Sequence, residues 1–114
     1  MENHSVFVQG APSLEWLATQ LGDLALDFGP SGEGLIDSDG TSGIYDSSLT
    51  GDQLDDIPEL TLSQFRFEVW ARTFDGAQWV RKAFDRLSAN PKVTVAWLID
   101  TQRIVAVSHA RSVA

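Results

Sequence analysis

Apolar residues along this chain change their spacing several times, and each change marks an element. Val6, Phe7 and Val8 form a short β-prone run. Leu14, Leu17, Ala18 and Leu21 then recur at helical spacing and predict a helix over residues 14–22. Pro12 and Ser13 open it, since proline suits a first turn and serine caps free N–H groups, and Gly22 ends it. Residues 24–28 read as a strand, residues 29–32 (GPSG) as a turn, and residues 34–36 as a return strand. Residues 37–43 make a polar turn, after which Ile44 and Tyr45 pair briefly. Residues 46–60 read as an irregular acidic connection with at most a helical turn near Leu54, because Pro58 opposes a longer helix.

Residues 64–72 alternate, with Phe65, Phe67, Val69 and Ala71 on one side and Gln64, Arg66, Glu68, Trp70 and Arg72 on the other. That pattern predicts a half-buried, antiparallel strand. Val80, Ala83, Phe84 and Leu87 predict a second helix over residues 76–89, capped by Thr73 or Asp75 and stopped by Asn90 and Pro91. Residues 93–99 are the most hydrophobic strand and are expected at the centre of the sheet. A turn over residues 100–103 leads to a final strand over 104–107. The order β-α-β-β-loop-β-α-β-β predicts an α+β two-layer sandwich. Its mainly antiparallel sheet of 5–6 strands carries both helices on one face, a ferredoxin-like arrangement with additions. A chain of 114 residues, 43% apolar, suits one such domain spanning residues 1–114.

Charge changes the picture more than composition does. Residues 1–65 hold twelve carboxylates and no Lys or Arg, whereas residues 66–114 hold eight Lys/Arg and four carboxylates. The halves carry −12 and +4, which sum to the net −8. Direct nucleic-acid binding is not expected, because phosphate contacts need Lys and Arg. The chain has no cysteine, so disulfides, thiolate metal sites and a cysteine nucleophile are excluded. No apolar run approaches membrane-spanning length, and the first ten residues lack the basic and apolar segments of a signal peptide, so the cytoplasm is the expected compartment.

Enzyme motifs are sparse. Leu35-Ile36-Asp37-Ser38-Asp39-Gly40-Thr41 resembles the first motif of haloacid-dehalogenase-like phosphatases, an apolar strand followed by D-x-D-G-T. The resemblance implies Asp37 as nucleophile and Asp39 as general acid/base, with Asp55 and Asp56 as a metal-binding pair. It covers about seven residues. Only fifteen residues separate Asp39 from Asp55 and none is Lys, so the parallel α/β core and lysine of that family have no room. The competing reading is a turn in which Asp caps backbone N–H groups and Gly supplies positive φ. Asp37, Asp39, Thr41 and Asp46 could also gather around Ca²⁺, yet Ser42 and Ser48 stand where an EF-hand needs Gly and Glu. His4 and His109 are far apart and form no zinc pattern. No nucleophile elbow or phosphate loop is present. No catalytic residue, cofactor or metal is expected, and an enzyme is the less favoured class.

The favoured expectation is a small acidic module that binds a basic protein, in the manner of immunity-type or DNA-mimic inhibitors. Asp37, Asp39, Asp46, Asp52, Asp55, Asp56 and Glu59 place seven carboxylates in 23 residues with no intervening cation. Confined like charge is self-repulsive, and a Lys/Arg partner relieves it while speeding association. Trp70, off the apolar stripe and between Arg66, Glu68 and Arg72, is the candidate aromatic anchor for a partner or a second copy in a homodimer. Its bland alternative is packing on Arg72. The alternative function is a small-molecule or enzymatic domain whose pocket is lined by Tyr45, Trp70 and His109.

Overall fold

His4 through Val8 are all buried, so the strand they form is covered on both faces. Such a strand belongs inside a sheet. The computed structural model of the protein describes residues 3–32, 34–46, 53–54, 57–61, 65–72, 75–100 and 103–110. Nine strands and two α-helices occur among them: β1 His4–Gln9, α1 Leu14–Leu21, β2 Gly29–Ser31, β3 Gly34–Ile36, β4 Ser42–Asp46, β5 Gln53–Leu54, β6 Ile57–Thr61, β7 Phe67–Ala71, α2 Gly76–Ser88, β8 Thr94–Ile99 and β9 Arg103–Ser108. The fold is α+β, built on a seven-stranded sheet of order β2-β3-β4-β7-β1-β8-β9 in which every neighbouring pair is antiparallel. β5 and β6 pair only with each other.

The central four strands have a simple logic. β1 and β4 both pair antiparallel with β7, so they run parallel, and α1 lies in the connection between them. β7 and β8 both pair antiparallel with β1, and α2 joins them. Two β-α-β units therefore interleave, each with a strand of the other at its centre. The β2–β3 hairpin extends the sheet beyond β4, and β9 extends it beyond β8.

Both helices pack on one face of this sheet. Leu17 and Leu21 of α1 join Val80, Ala83 and Leu87 of α2 in one buried cluster. The sheet supplies Val6, Val8, Ile44, Phe67, Val69, Ala71 and Val95 to it. Ser13 caps α1 by accepting from the Trp16 amide at 3.1 Å, and Gly22, at φ +59°, ends it. Asp75 occupies the corresponding position before α2 but makes no side-chain capping bond, and Thr73 lies outside the described residues.

Several expectations change. The sheet has seven strands, where 5–6 were expected. Residues 24–28 are not a strand: after Gly22 the chain makes a 3-10 turn, Gly22–Ala25, and strand geometry begins only at Gly29. Asp23 is tied to Arg86 of α2, and the Phe28 amide donates to the Ala25 carbonyl, which keeps this stretch coiled. The acidic connection contains the β5–β6 ladder, and Pro58 sits within β6. Phe65 leaves the stripe of Phe67, Val69 and Ala71 and joins Phe7, Ala96 and Leu98 in a second cluster, backed by Ile104 and Val107. β8 is next to the edge strand, and β7 occupies the middle.

The two sheet edges are protected against further pairing. β2 is three residues long and contains Pro30. β9 is longer, but its register against β8 shifts so that Val105 has no counterpart, a bulge that disrupts the edge.

Arg86 binds the two helices together. Its guanidinium donates to the Leu21 carbonyl at the end of α1 and pairs with Asp23. The carbonyl contact satisfies one of the free acceptors of a helix terminus. Arg86→Ala is expected to lower stability by about 1 kcal/mol, because the ion pair itself faces solvent and only the hydrogen bond and stem packing are lost. Urea unfolding checks this. An unchanged midpoint would remove Arg86 from the account of how α1 is anchored.

Candidate functional site

The turn between β3 and β4 is built by one carboxylate. Asp37 Oδ1 accepts from the Thr41 amide at 2.7 Å, and Oδ2 accepts from the hydroxyls of Thr41 at 2.7 Å and Ser42 at 2.9 Å. The Asp37 amide donates to the Ser42 carbonyl, and Gly40 takes φ +73° to let the chain reverse. Burial raises the pKa of Asp37, but the Thr41 and Ser42 hydrogen bonds outweigh it and hold the carboxyl below its ordinary value. The D-x-D-G-T segment is thus an Asp-closed turn in which both Asp37 oxygens are engaged.

A carboxylate from the segment after the 3-10 turn joins the Asp37 turn. Asp27 Oδ2 accepts from the Ser38 amide at 3.3 Å and from its hydroxyl at 2.9 Å. Asp39, two residues after Asp37 in the same turn, is exposed. Asp27, Asp37 and Asp39 therefore gather at one end of β3 and β4, with only neutral donors on Asp27 and Asp37. Asp27 was missing from the sequence-based set, because its proximity to Ser38 depends on the coiled path of residues 22–28.

The other candidates are placed differently. Asp46 lies at the opposite end of β4, about 14 Å along the strand. It pairs with Arg66 through two hydrogen bonds, Nε–Oδ1 at 2.9 Å and Nη2–Oδ2 at 3.0 Å. Glu59 belongs to β6. Asp52, Asp55 and Asp56 lie outside the described residues. Among the described residues, no group of three or more His, Asp or Glu side chains could hold a metal ion. No helix among them is long and apolar enough to cross a membrane.

Trp70 lies on the sheet face opposite the helices. It pairs in register with Gly43 of β4, and a Cβ on Gly43 would come within 3.0 Å of the indole, so the ring rests over the glycine. The Arg72 guanidinium sits 5.2 Å from the ring centroid. Tyr45, 42% exposed, is the residue opposite Glu68 in the same register. Glu68 Oε2 accepts from the Ser5 hydroxyl at 2.9 Å. Tyr45 and Trp70 thus share one face, whereas His109 follows β9, three strands from β7 and four from β4. His4 is buried, and its Nδ1 accepts from Trp97 Nε1 at 3.1 Å.

No family model, curated protein or solved structure matches this chain.

The Asp37 turn has a definite pH signature. Its carboxyl is held below the unfolded value, so its contribution is fully present above the ordinary carboxylate range and is lost as pH falls through the folded value. Asp37→Ala should cost about 1–2 kcal/mol at pH 7 from the lost hydrogen bonds. The difference between Asp37→Ala and the wild type should shrink at the acid end. Chemical denaturation at neutral pH and near pH 3 measures both, and a difference that grows with acidity would contradict the turn geometry.

Proposed function

We propose that this chain is a small acidic protein-binding module whose partner is a basic protein, and that it serves as an immunity-type or DNA-mimic inhibitor of a nucleic-acid-acting protein. The observation that carries this reading is the charge partition: twelve carboxylates and no Lys or Arg precede Arg66. Two of these, Asp23 and Asp46, are ion-paired within the described residues. At one end of the sheet Asp27 and Asp37 accept hydrogen bonds from neutral groups, which orient the carboxylates without an ion pair, and exposed Asp39 lies in the same turn. A field of one sign attracts a Lys/Arg surface and speeds encounter.

The scaffold reading that goes with it is a ferredoxin-like core with additions. What supports it is the order β4-β7-β1-β8 with its two interleaved β-α-β units, the pattern of that fold, with the β2–β3 hairpin and β9 as the additions. This fold hosts many functions, so the functional reading stands on the charges alone. The cytoplasm is the compartment in which such an inhibitor would meet its target.

Immobilised protein should capture a partner whose own net charge is positive. Complex formation should slow markedly from low to physiological salt, where the Debye length is ~8 Å. Reversing Asp55 and Asp56 to Lys should weaken the complex by several kcal/mol if both are desolvated on binding, and by less than ~1 kcal/mol at a rim position. Isothermal titration of the captured partner measures this. A complex indifferent to salt and to both reversals would sink the proposal.

A further inference from the structure

The helix-free face of β4 and β7 carries a group of side chains suited to a cation. In register, Tyr45 stands opposite Glu68 and Gly43 opposite Trp70, so the phenol, carboxylate and indole occupy adjacent positions around a glycine that projects nothing. Tyr45 is 42% exposed, and the helices lie on the other face. Ser5 engages Oε2 of Glu68, which orients the carboxylate and leaves its other oxygen as an acceptor. Aromatic faces attract a guanidinium through the ring quadrupole, and a carboxylate alongside adds a charge-assisted hydrogen bond.

The protein already shows the contact. The exposed Arg72 guanidinium sits 5.2 Å from the centre of the Trp70 ring. Among the described residues no carboxylate pairs with it. Its backbone amide donates to the Thr41 carbonyl at 2.7 Å, which fixes it just past the end of β7.

We infer that Tyr45, Glu68 and Trp70 form a docking site for an arginine side chain of the basic partner, and that Arg72 occupies part of that site in the free protein. This rests on the proposed function and names the chemistry of its contact. The occupant is arginine in preference to lysine, because a planar guanidinium stacks on an indole while offering its edge to a carboxylate. The net charge of −8 favours a cationic occupant in general. An incoming arginine competes with Arg72 for the ring, so Arg72 lowers the affinity of the resting protein.

The test is titration of the nitrogen-15-labelled full chain with a hexa-arginine peptide, following the Trp70 indole N–H signal for contact at the ring and the backbone amide signals for the affinity of every variant. The signal should move on binding. Tyr45→Ala and Trp70→Leu should weaken binding about two- to five-fold, and Arg72→Gln should tighten it by a similar factor. Lys92→Gln is the charge-matched control, since it removes one exposed cation elsewhere, and it should tighten binding less. Trp70 also covers Gly43, so its replacement can loosen β4; the Tyr45 and Arg72 variants then carry the decision. Salt-sensitive binding with a static Trp70 signal, or with Arg72→Gln no tighter than Lys92→Gln, overturns the docking site and leaves the acidic-surface reading standing. Absence of salt-sensitive binding to hexa-arginine overturns both.

Discussion

The placement of β1 between β7 and β8 governs the rest of the molecule. Val6 meets Val69 on one side and Trp97 on the other, and Val8 meets Phe67 and Val95. These partners lie some sixty to ninety residues away in sequence, so the chain must close its longest loops before the sheet has a core. Such non-local pairing slows folding, because loop entropy is lost before the contacts reward it. The helices depend on the same event. Leu17, Leu21, Val80, Ala83 and Leu87 have a common surface to cover only once β1, β7 and β8 are adjacent. Arg86 then couples the helices directly through the end of α1.

Because both helices take one face, the other face is divided. Toward β8 and β9 it buries Phe7, Phe65, Ala96 and Leu98. Toward β4 and β7 it presents Tyr45, Glu68 and Trp70, with Ser5 of the adjacent β1 hydrogen-bonded to Glu68. Two glycines make that second region flat. A Cβ on Gly34 would fall 2.2 Å from the Ile44 carbonyl oxygen, and one on Gly43 would fall 2.5 Å from that of Leu35. Strands β3 and β4 approach closely only because both positions lack side chains. The indole of Trp70 fills the space over Gly43, so packing and surface chemistry share one residue.

Much of this was legible in the sequence wherever periodicity was strong. The stripe Val80, Ala83, Leu87 identified α2, and the alternation of Phe67, Val69 and Ala71 identified β7, because burial of one face selects both patterns. Boundaries failed where tertiary contacts overrode local preference. Leu24 to Phe28 is apolar enough for a strand, yet the Arg86–Asp23 contact and the Phe28–Ala25 hydrogen bond keep it coiled. Phe65 obeys the alternation and still turns to the opposite face, since strand β7 begins only at Phe67. Of the site, the Asp37 turn was readable from Asp and Gly spacing. The neighbourhood of Asp27 with Ser38, and of Tyr45 with Glu68, required a register that a single sequence does not contain.

Among the described residues, the carboxylates of the first half fall into two kinds that only the structure separates. Asp23 and Asp46 answer cations of the second half, Arg86 and Arg66, and their charge is cancelled locally. Asp27 and Asp37 organise neutral amides and hydroxyls, so their positions are fixed without an ion pair. A solubilising charge has no need of a fixed position. Carboxylates held in place by the turn they build can present a shaped field, because no conformational entropy remains to be lost when a cation arrives. The same turn leads directly into β4, and Thr41 within it accepts the amide of Arg72. One backbone hydrogen bond therefore joins the acidic turn to the residue stacked on Trp70. The acidic end of the sheet and the face that carries exposed Tyr45 and half-buried Trp70 are thus contiguous.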